Sequence, residues 1–118
     1  EPFEVAVGGW GTFPMVPYLH ASAPELAAAN AALLAGSPYA GGYVPHVTVG
    51  HYSVSRPLAE IACHMDGWVA PGVVVEVREW ALLAYETHDI AGPLTTVGRL
   101  SLVDRSWSVE APIPGLDL

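Results

Sequence analysis

Short segments of the chain alternate hydrophobic and polar residues, a pattern that predicts β-strands because successive strand side chains point to opposite faces. The first such segment is "FEVAVGG", and the glycine-rich "GGWG" ends it. Four more segments follow: "MVPYLHA", "YVPHVTVG", "VVVEVREWALLAY" and "GPLTTVGRLSLV". The long valine-rich segment changes phase midway, and a bulge near Arg78 and Glu79 would reconcile its two halves.

Two further segments predict helices. The first spans about residues 23–35, where Ser22 and Glu25 have the spacing of a capping box with Ser22 as the N-cap. The second spans about residues 56–66, with apolar residues at helical spacing. The order strand, strand, helix, strand, helix, strand, strand predicts an α+β fold, in which an antiparallel-dominated sheet carries both helices on one face.

The length of 118 residues predicts a single domain over residues 1–118. Residues 103–118 contain closely spaced prolines, so we expect an irregular C-terminal tail there. No stretch of about 18 apolar residues is present, so the sequence predicts no membrane association through a spanning helix. Cys63 is the only cysteine, which excludes an intrachain disulfide and fits a cytoplasmic location.

The charge balance narrows the range of ligands. Twelve acidic residues stand against four arginines and no lysine, for a net charge of -8. Binding of long nucleic acid depends on clustered cations that displace counterions, so we expect no long nucleic acid as a partner. A small phosphorylated ligand remains compatible. The single cysteine and the scattered histidines form no ligand cluster, so neither a metal nor another cofactor is expected.

The segment "YVPHVTVGHYSV" carries the most distinctive chemistry. In a strand, His46 and Thr48 project from one face and Val47 and Val49 from the other. If the helices cover the valines, the imidazole and the hydroxyl lie on an open face, where they can hold one phosphate and transfer a proton. The alternative is an ordinary exposed strand face, where histidine and threonine are common without any function.

The order and spacing of these segments resemble a known superfamily. The segments "PFEVAVGGWGTFP", "PYLHASAPELAAANAALLAG", "YVPHVTVGHYS", "VVVEVREWALLAYET" and "GPLTTVGRLSL" resemble the second half of the two-histidine phosphoesterases. This superfamily includes bacterial 2′,5′ RNA ligase-like proteins and cyclic nucleotide phosphodiesterases. The resemblance covers about residues 2–102 and implies one lobe of a bilobal fold.

The resemblance also implies a mechanism. Two His-x-Thr or His-x-Ser motifs, one from each lobe, face each other across a cleft and transfer protons without a metal. The motif carries over only to His46 and Thr48. We therefore expect the other motif upstream of Glu1, in an N-terminal lobe, or in a second copy of the chain, and little activity from the isolated chain.

Two segments of this chain match the His-x-Ser pattern of a second motif. "HAS" begins at His20, but Ser22 is better explained as the helix N-cap; "HYS" begins at His51, whose position predicts the face opposite His46. Neither lies where the superfamily places its first motif. The predicted function is thus a phosphodiesterase lobe acting on a small nucleotide or an RNA terminus, with a non-catalytic phosphate-binding domain or a homodimeric half-enzyme as alternatives.

One arginine is a weak candidate for substrate binding. Arg99 lies in the last strong strand segment, where its guanidinium could contact a phosphate. The alternative is an ion pair with Glu76 or Glu79. We expect the other two histidines, His64 and His88, to lie on the surface.

Overall fold

The structure is a computed structural model that describes residues 1–38, 42–68, 72–89 and 91–115. It divides into two compact units: Glu4–Val75, the N-terminal unit, and Glu1–Phe3 with Glu76–Leu118, the C-terminal unit. The elements in chain order are β1 (Phe3–Thr12), β2 (Pro17–Ser22), α1 (Pro24–Leu33), β3 (His46–Thr48), α2 (Leu58–Trp68), β4 (Val73–Val77), β5 (Glu79–Ala84), β6 (Thr95–Ser101) and β7 (Trp107–Val109).

The strands form two sheets. One sheet has the strand order β3-β2-β1-β4, and the other has the order β5-β6-β7. The pairs β1–β2, β2–β3, β5–β6 and β6–β7 are all antiparallel. The predicted α+β class with antiparallel strands and two helices is therefore confirmed.

The glycine-rich stretch in β1 forms a bulge. Val7 pairs with Ala21 and Trp10 pairs with Leu19, so two glycines on β1 stand opposite His20 alone on β2. Gly9 has a φ of 67°, a conformation that glycine adopts without strain. Such a bulge bends the strand and changes the direction of nearby side chains.

One face of this sheet lies toward α2. Trp10 Nε1–H donates a hydrogen bond to Asp66 Oδ1 of α2 at 2.7 Å. Leu19 pairs with Trp10, and Val47 pairs with Leu19, so these side chains share the face of Trp10, which we call the helix face. On α2, Met65 is only 4% exposed, as expected for a residue that packs into a core.

We expect the Trp10–Asp66 hydrogen bond to contribute measurably to stability. Asp66→Ala should lower the free energy of unfolding by about 1 kcal/mol, because it leaves the indole N–H without its carboxylate acceptor. Chemical denaturation followed by tryptophan fluorescence measures this change. Asp66→Asn keeps an oxygen acceptor and should lose less; equal losses in the two variants would contradict a role for the hydrogen bond.

The start of α1 differs from the prediction. The N-cap is Ala23, without a side-chain cap hydrogen bond, and Pro24 occupies the first turn. Ser22 instead ends β2, where it pairs with Ala6 of β1. The strand pairing holds the backbone of Ser22 in the sheet, so the predicted capping role of Ser22 is wrong.

The C-terminal unit contains the second sheet. The only side chain described there as fully buried is that of Val97, in the central strand β6. A Cβ atom added at Gly98 would collide with the ring of Trp107, so the absence of a side chain at Gly98 makes room for the indole. The predicted bulge near Arg78 and Glu79 is instead a break between β4 and β5, which belong to different sheets. This break accounts for the phase change seen in the sequence.

The predicted irregular tail contains a strand. Residues Trp107–Val109 form β7, which pairs with β6 after a tight turn. In this turn Ser101 N–H donates to the Ser106 carbonyl at 2.9 Å, and Ser106 donates to Asp104 from both its backbone N–H and its hydroxyl. These hydrogen bonds from Ser106 lower the pKa of Asp104 to about 2. The turn directs the tail back along β6.

No helix among the described residues combines the length and the apolar character that crossing a membrane requires.

Candidate functional site

His46 and Thr48 lie at the two ends of β3 with exposed side chains. β3 pairs with β2 so that His46 stands opposite His20 and Thr48 stands opposite Tyr18. Alternate residues of a strand share a face, so these four side chains project from the side opposite Trp10, Leu19 and Val47. We call this side the histidine face. It is the open face predicted from the alternation of residues 46–49.

The hydrogen-bond pattern brings the side chains of these pairs close together. Val49 N–H donates to the Pro17 carbonyl at 3.0 Å, and Ala21 N–H donates to the Pro45 carbonyl at 3.3 Å. These hydrogen-bonded pairs alternate along the ladder with the pairs Tyr18–Thr48 and His20–His46. The latter two are therefore non-hydrogen-bonded pairs. Side chains approach most closely at such non-hydrogen-bonded pairs, with Cβ atoms about 4.5–5.5 Å apart.

A backbone carbonyl two residues earlier in the chain fixes the orientation of the His46 ring. His46 Nδ1 lies 2.7 Å from the carbonyl oxygen of Val44. A carbonyl oxygen only accepts hydrogen bonds, so Nδ1 carries the proton in this contact. In the neutral ring, Nε2 then has a free lone pair, and His46 can take a proton from a ligand through this atom.

Aromatic rings pack against the imidazoles of His20 and His46. The Tyr18 ring centroid lies 5.4 Å from that of His20 and 5.4 Å from that of His46. Phe13 contacts both His46, at 5.1 Å in an edge-to-face arrangement, and Tyr18, at 4.6 Å. Tyr18 is only 8% exposed, so the two exposed imidazoles pack against a buried ring.

Two glycines of β1 make room for this arrangement. A Cβ atom added at Gly11 would lie 2.6 Å from the Tyr18 ring, and one added at Gly9 would lie 3.4 Å from His20 Cδ2. Both glycines therefore provide space for side chains on the histidine face. This explains the "GGWG" segment, whose tryptophan points to the helix face.

The polar groups of the site are available to a ligand. Within the described part of the chain, neither the Thr48 hydroxyl nor the His20 imidazole forms a hydrogen bond. Arg56 is the only arginine or lysine among residues 4–75, and it forms an ion pair with Glu60 at 3.7 Å.

The His51 motif lies elsewhere. β3 ends at Thr48, and Tyr52 is tied back by its N–H to the Met15 carbonyl at 3.0 Å and by its hydroxyl to Thr12 Oγ1 at 2.6 Å. His51 lines a cavity of about 530 Å³ together with Met65 of α2. His51 therefore lies on the α2 side and is separated from His46, as its position in the sequence predicted.

Two valines that were expected to pack against the helices remain partly exposed. Val47 and Val49 are predicted to hold the helices, but they are 45% and 39% exposed. Val49 lines the 530 Å³ cavity with Ile61 and Met65 rather than close-packing against them. The valines lie on the side opposite the histidine face as expected, but both remain partly exposed.

Arg99 is occupied by carboxylates. Its guanidinium donates to Glu110 Oε1 at 2.7 Å and to Glu79 on the neighbouring strand. Both contacts raise the pKa of Arg99 above its ordinary value, and the hydrogen bond to Glu79 has the larger effect. The structure thus shows the ion pair with Glu79 that the sequence left open as the alternative to phosphate binding. Arg99 belongs to the C-terminal unit, whereas His46 belongs to the N-terminal unit.

The remaining histidines form no metal cluster. His64 is exposed on α2, and His88 is exposed beside Glu86, with 3.9 Å between His88 Nδ1 and Glu86 Oε2. Among the described residues, no group of three or more histidine, cysteine or acidic side chains has the geometry of a metal site.

The position of His20 opposite His46 was not part of the sequence prediction. The segment "MVPYLHA" predicted a strand that contains His20 and assigned Ser22 to a helix cap, whereas the structure places both residues in β2. The available signal was alternation: Tyr18, His20 and Ser22 occupy every second position of "PYLHAS". Their shared face follows from this spacing, but the direct opposition of His20 and His46 depends on the register, which the spacing does not contain.

Comparison with known families assigns the chain to a superfamily. The α+β fold, with an exposed strand carrying His46 and Thr48, is compatible with one lobe of a two-histidine phosphoesterase. Residues 1–89 of the 118 match the family model of the 2′-5′ RNA ligase superfamily, which is the two-histidine phosphoesterase superfamily. The chain belongs to this superfamily. The comparisons with curated proteins and with solved structures give no match.

Proposed function

We propose that this chain supplies a phosphodiesterase site in which His46 transfers a proton and Thr48 donates a hydrogen bond to the phosphoryl group. The substrate class is a 2′,3′-cyclic phosphate or a 2′,5′ linkage in a small nucleotide or at an RNA terminus. The observation that supports it most is the His46 ring itself. Its Nδ1–H is held by the Val44 carbonyl at 2.7 Å, and its Nε2 atom is left for the ligand.

The charge of the chain favours a small substrate. A net charge of -8 repels a long polyanion, and the N-terminal unit has a single arginine, paired with Glu60. One phosphoryl group held by imidazole and hydroxyl groups needs no such cationic surface. A mononucleotide or a single RNA end therefore fits the site better than an internal stretch of RNA.

Hydrolysis of a 2′,3′-cyclic nucleotide by the purified chain, followed over a series of chain concentrations, tests the proposal. Turnover that is lost in a His46→Ala variant supports it. A chain that binds phosphate at the histidine face but does not turn over at any concentration would instead be a phosphate-binding domain. A rate that rises with the square of the chain concentration would indicate a site completed by a second copy.

We expect the reaction to proceed without a metal. Imidazole groups can supply both the acid and the base that phosphoryl transfer to water requires. Treatment with a chelator should therefore leave the rate of cyclic nucleotide hydrolysis unchanged within about twofold. Loss of the activity on chelation, with recovery on addition of one defined divalent ion, would contradict this expectation.

A further inference from the structure

We propose that the cavity of about 530 Å³ beside α2 is a second ligand site, which takes a small organic anion with an aromatic or branched apolar body and one carboxylate. We call it the α2 cavity. It is formed within the N-terminal unit by Pro17 of β2, residues 49–52 after β3, Arg56 and one face of α2. None of the four side chains of the histidine face lines it, so the inference goes beyond the proposed function and does not depend on it.

The inner wall of the α2 cavity is apolar. Pro17 and Met65 are both buried, and Val49 and Ile61 beside them keep part of their surface exposed. These side chains offer a hydrophobic surface, and the removal of a ligand's apolar surface from water favours binding. The volume of about 530 Å³ is within the ordinary range of small-molecule sites. Inorganic phosphate has no apolar part and would leave this wall without a contact.

The rim of the α2 cavity carries the groups that can hold an anion. Residues 4–75 contain one arginine and four histidines, and three of these five side chains line the cavity: Arg56, His51 and His64. Neither of these two histidines forms a hydrogen bond or an ion pair with another described residue, so their ring N–H groups are available to a ligand. In a chain with a net charge of -8, this concentration of potential cations favours an anionic ligand at the cavity.

The ion pair of Arg56 leaves its guanidinium able to bind a carboxylate. Arg56 Nη1 lies 3.7 Å from Glu60 Oε2, and the two side chains are 62% and 60% exposed. Such an exposed pair contributes little to stability, so a ligand can share the guanidinium at little cost. A guanidinium can donate two parallel hydrogen bonds to one carboxylate. Glu60 also lines the cavity and repels a dianion more strongly than a monoanion, which favours a single carboxylate.

The walls of the α2 cavity are anchored, so the cavity exists before a ligand binds. Tyr52 N–H donates to the Met15 carbonyl at 3.0 Å, and the Tyr52 hydroxyl lies 2.6 Å from Thr12 Oγ1. The helix α2 is tied to β1 by the 2.7 Å hydrogen bond from Trp10 to Asp66. A site that needs little ordering loses less free energy when it binds a ligand.

Binding of 1-naphthoate to the chain tests the proposal. In an NMR titration, 1-naphthoate should shift the methyl signal of Met65 and the ring C–H signals of His51 and His64, with a Kd of about 1 mM or tighter. The neutral analogue 1-naphthalenemethanol should bind about tenfold more weakly, because it lacks the charge-assisted hydrogen bonds of a carboxylate. Inorganic phosphate, the anion without an apolar body, should not shift the Met65 signal.

Two variants with matched controls locate the site. Arg56→Gln should weaken 1-naphthoate binding about tenfold. Arg78→Gln should leave it unchanged, since Arg78 belongs to the C-terminal unit but is also exposed and paired, with Glu76 at 3.2 Å. His64→Glu adds a second carboxylate at the rim and should weaken binding at least as much, whereas His88→Glu makes the same change of charge outside the cavity and should have no effect. Circular dichroism checks that each variant is folded.

Several results would overturn the α2 site. They are an absence of 1-naphthoate binding up to about 10 mM, shifts confined to the histidine face, or equal affinity for the neutral analogue. Equal losses in Arg56→Gln and Arg78→Gln would also overturn it, because they would show a response to net charge alone. None of these measurements uses cyclic nucleotide hydrolysis, so the failure of this inference is distinguishable from the failure of the proposed function.

Discussion

His46→Ala should reduce kcat for 2′,3′-cyclic nucleotide hydrolysis by about 10²–10⁴-fold, the range typical of a positioned general base. The variant removes the only ring on the histidine face whose tautomer is fixed, here by the 2.7 Å contact with the Val44 carbonyl. Steady-state kinetics with purified protein measure the effect. Because the lost interaction is made in the transition state, kcat should fall much more than KM changes.

A matched control separates chemistry from folding. His88→Ala removes an imidazole of the C-terminal unit whose side chain is 80% exposed, so it should leave kcat and stability unchanged. His46→Ala should also unfold close to the wild-type midpoint, since the ring is exposed. A His46→Ala chain that is folded and retains more than about a tenth of the wild-type kcat would refute a catalytic role for His46.

Gly11→Ala should have a large effect although it alters no polar group. The added methyl group would lie 2.6 Å from the Tyr18 ring and 2.6 Å from its hydroxyl oxygen, so the buried ring must move. We expect the free energy of unfolding to fall by about 2–3 kcal/mol, as for other overpacked sites. Activity should fall as well, because both imidazoles rest on that ring.

Denaturant unfolding and cyclic nucleotide kinetics measure the two consequences of Gly11→Ala together. Gly50→Ala is the appropriate comparison: an added Cβ meets nothing within 4 Å, and the residue does not have a positive φ. It should match the wild-type chain in both measurements. If Gly11→Ala also matched the wild-type chain, the Tyr18 ring would not be held in the place that supports the imidazoles.

The parts of the fold that depend on local pattern were predictable. The alternation of residues 46–49 places His46 and Thr48 on one face and the two valines on the other, and the structure confirms this placement. Helical spacing identified both helices, although their ends differ by a few residues. Each of these predictions uses only neighbouring residues, whose side-chain directions follow from the geometry of one strand or one helix.

The parts that depend on pairing between distant segments were not predictable in the same way. The opposition of His20 and His46 requires the register of β2 against β3, which backbone hydrogen bonds such as that from Ala21 to Pro45 set. The residue type of Ser22 and its spacing from Glu25 are typical of a helix cap, yet pairing with Ala6 keeps Ser22 in β2. β7 depends likewise on the turn around Asp104 and on the space above Gly98, neither of which is a pattern of hydrophobicity.

The bulge in β1 has a consequence for how the site could be redesigned. Two glycines stand opposite His20, while Val7 and Trp10 on either side of them both remain on the helix face. Removing one glycine would restore an unbroken ladder and keep those two side chains where they are, because residues two apart in a regular strand share a face. It would also straighten the strand, since a bulge bends it and increases its twist. The direction of the His20 side chain can thus be changed through the length of the β1 backbone opposite it, without replacing any side chain of the histidine face.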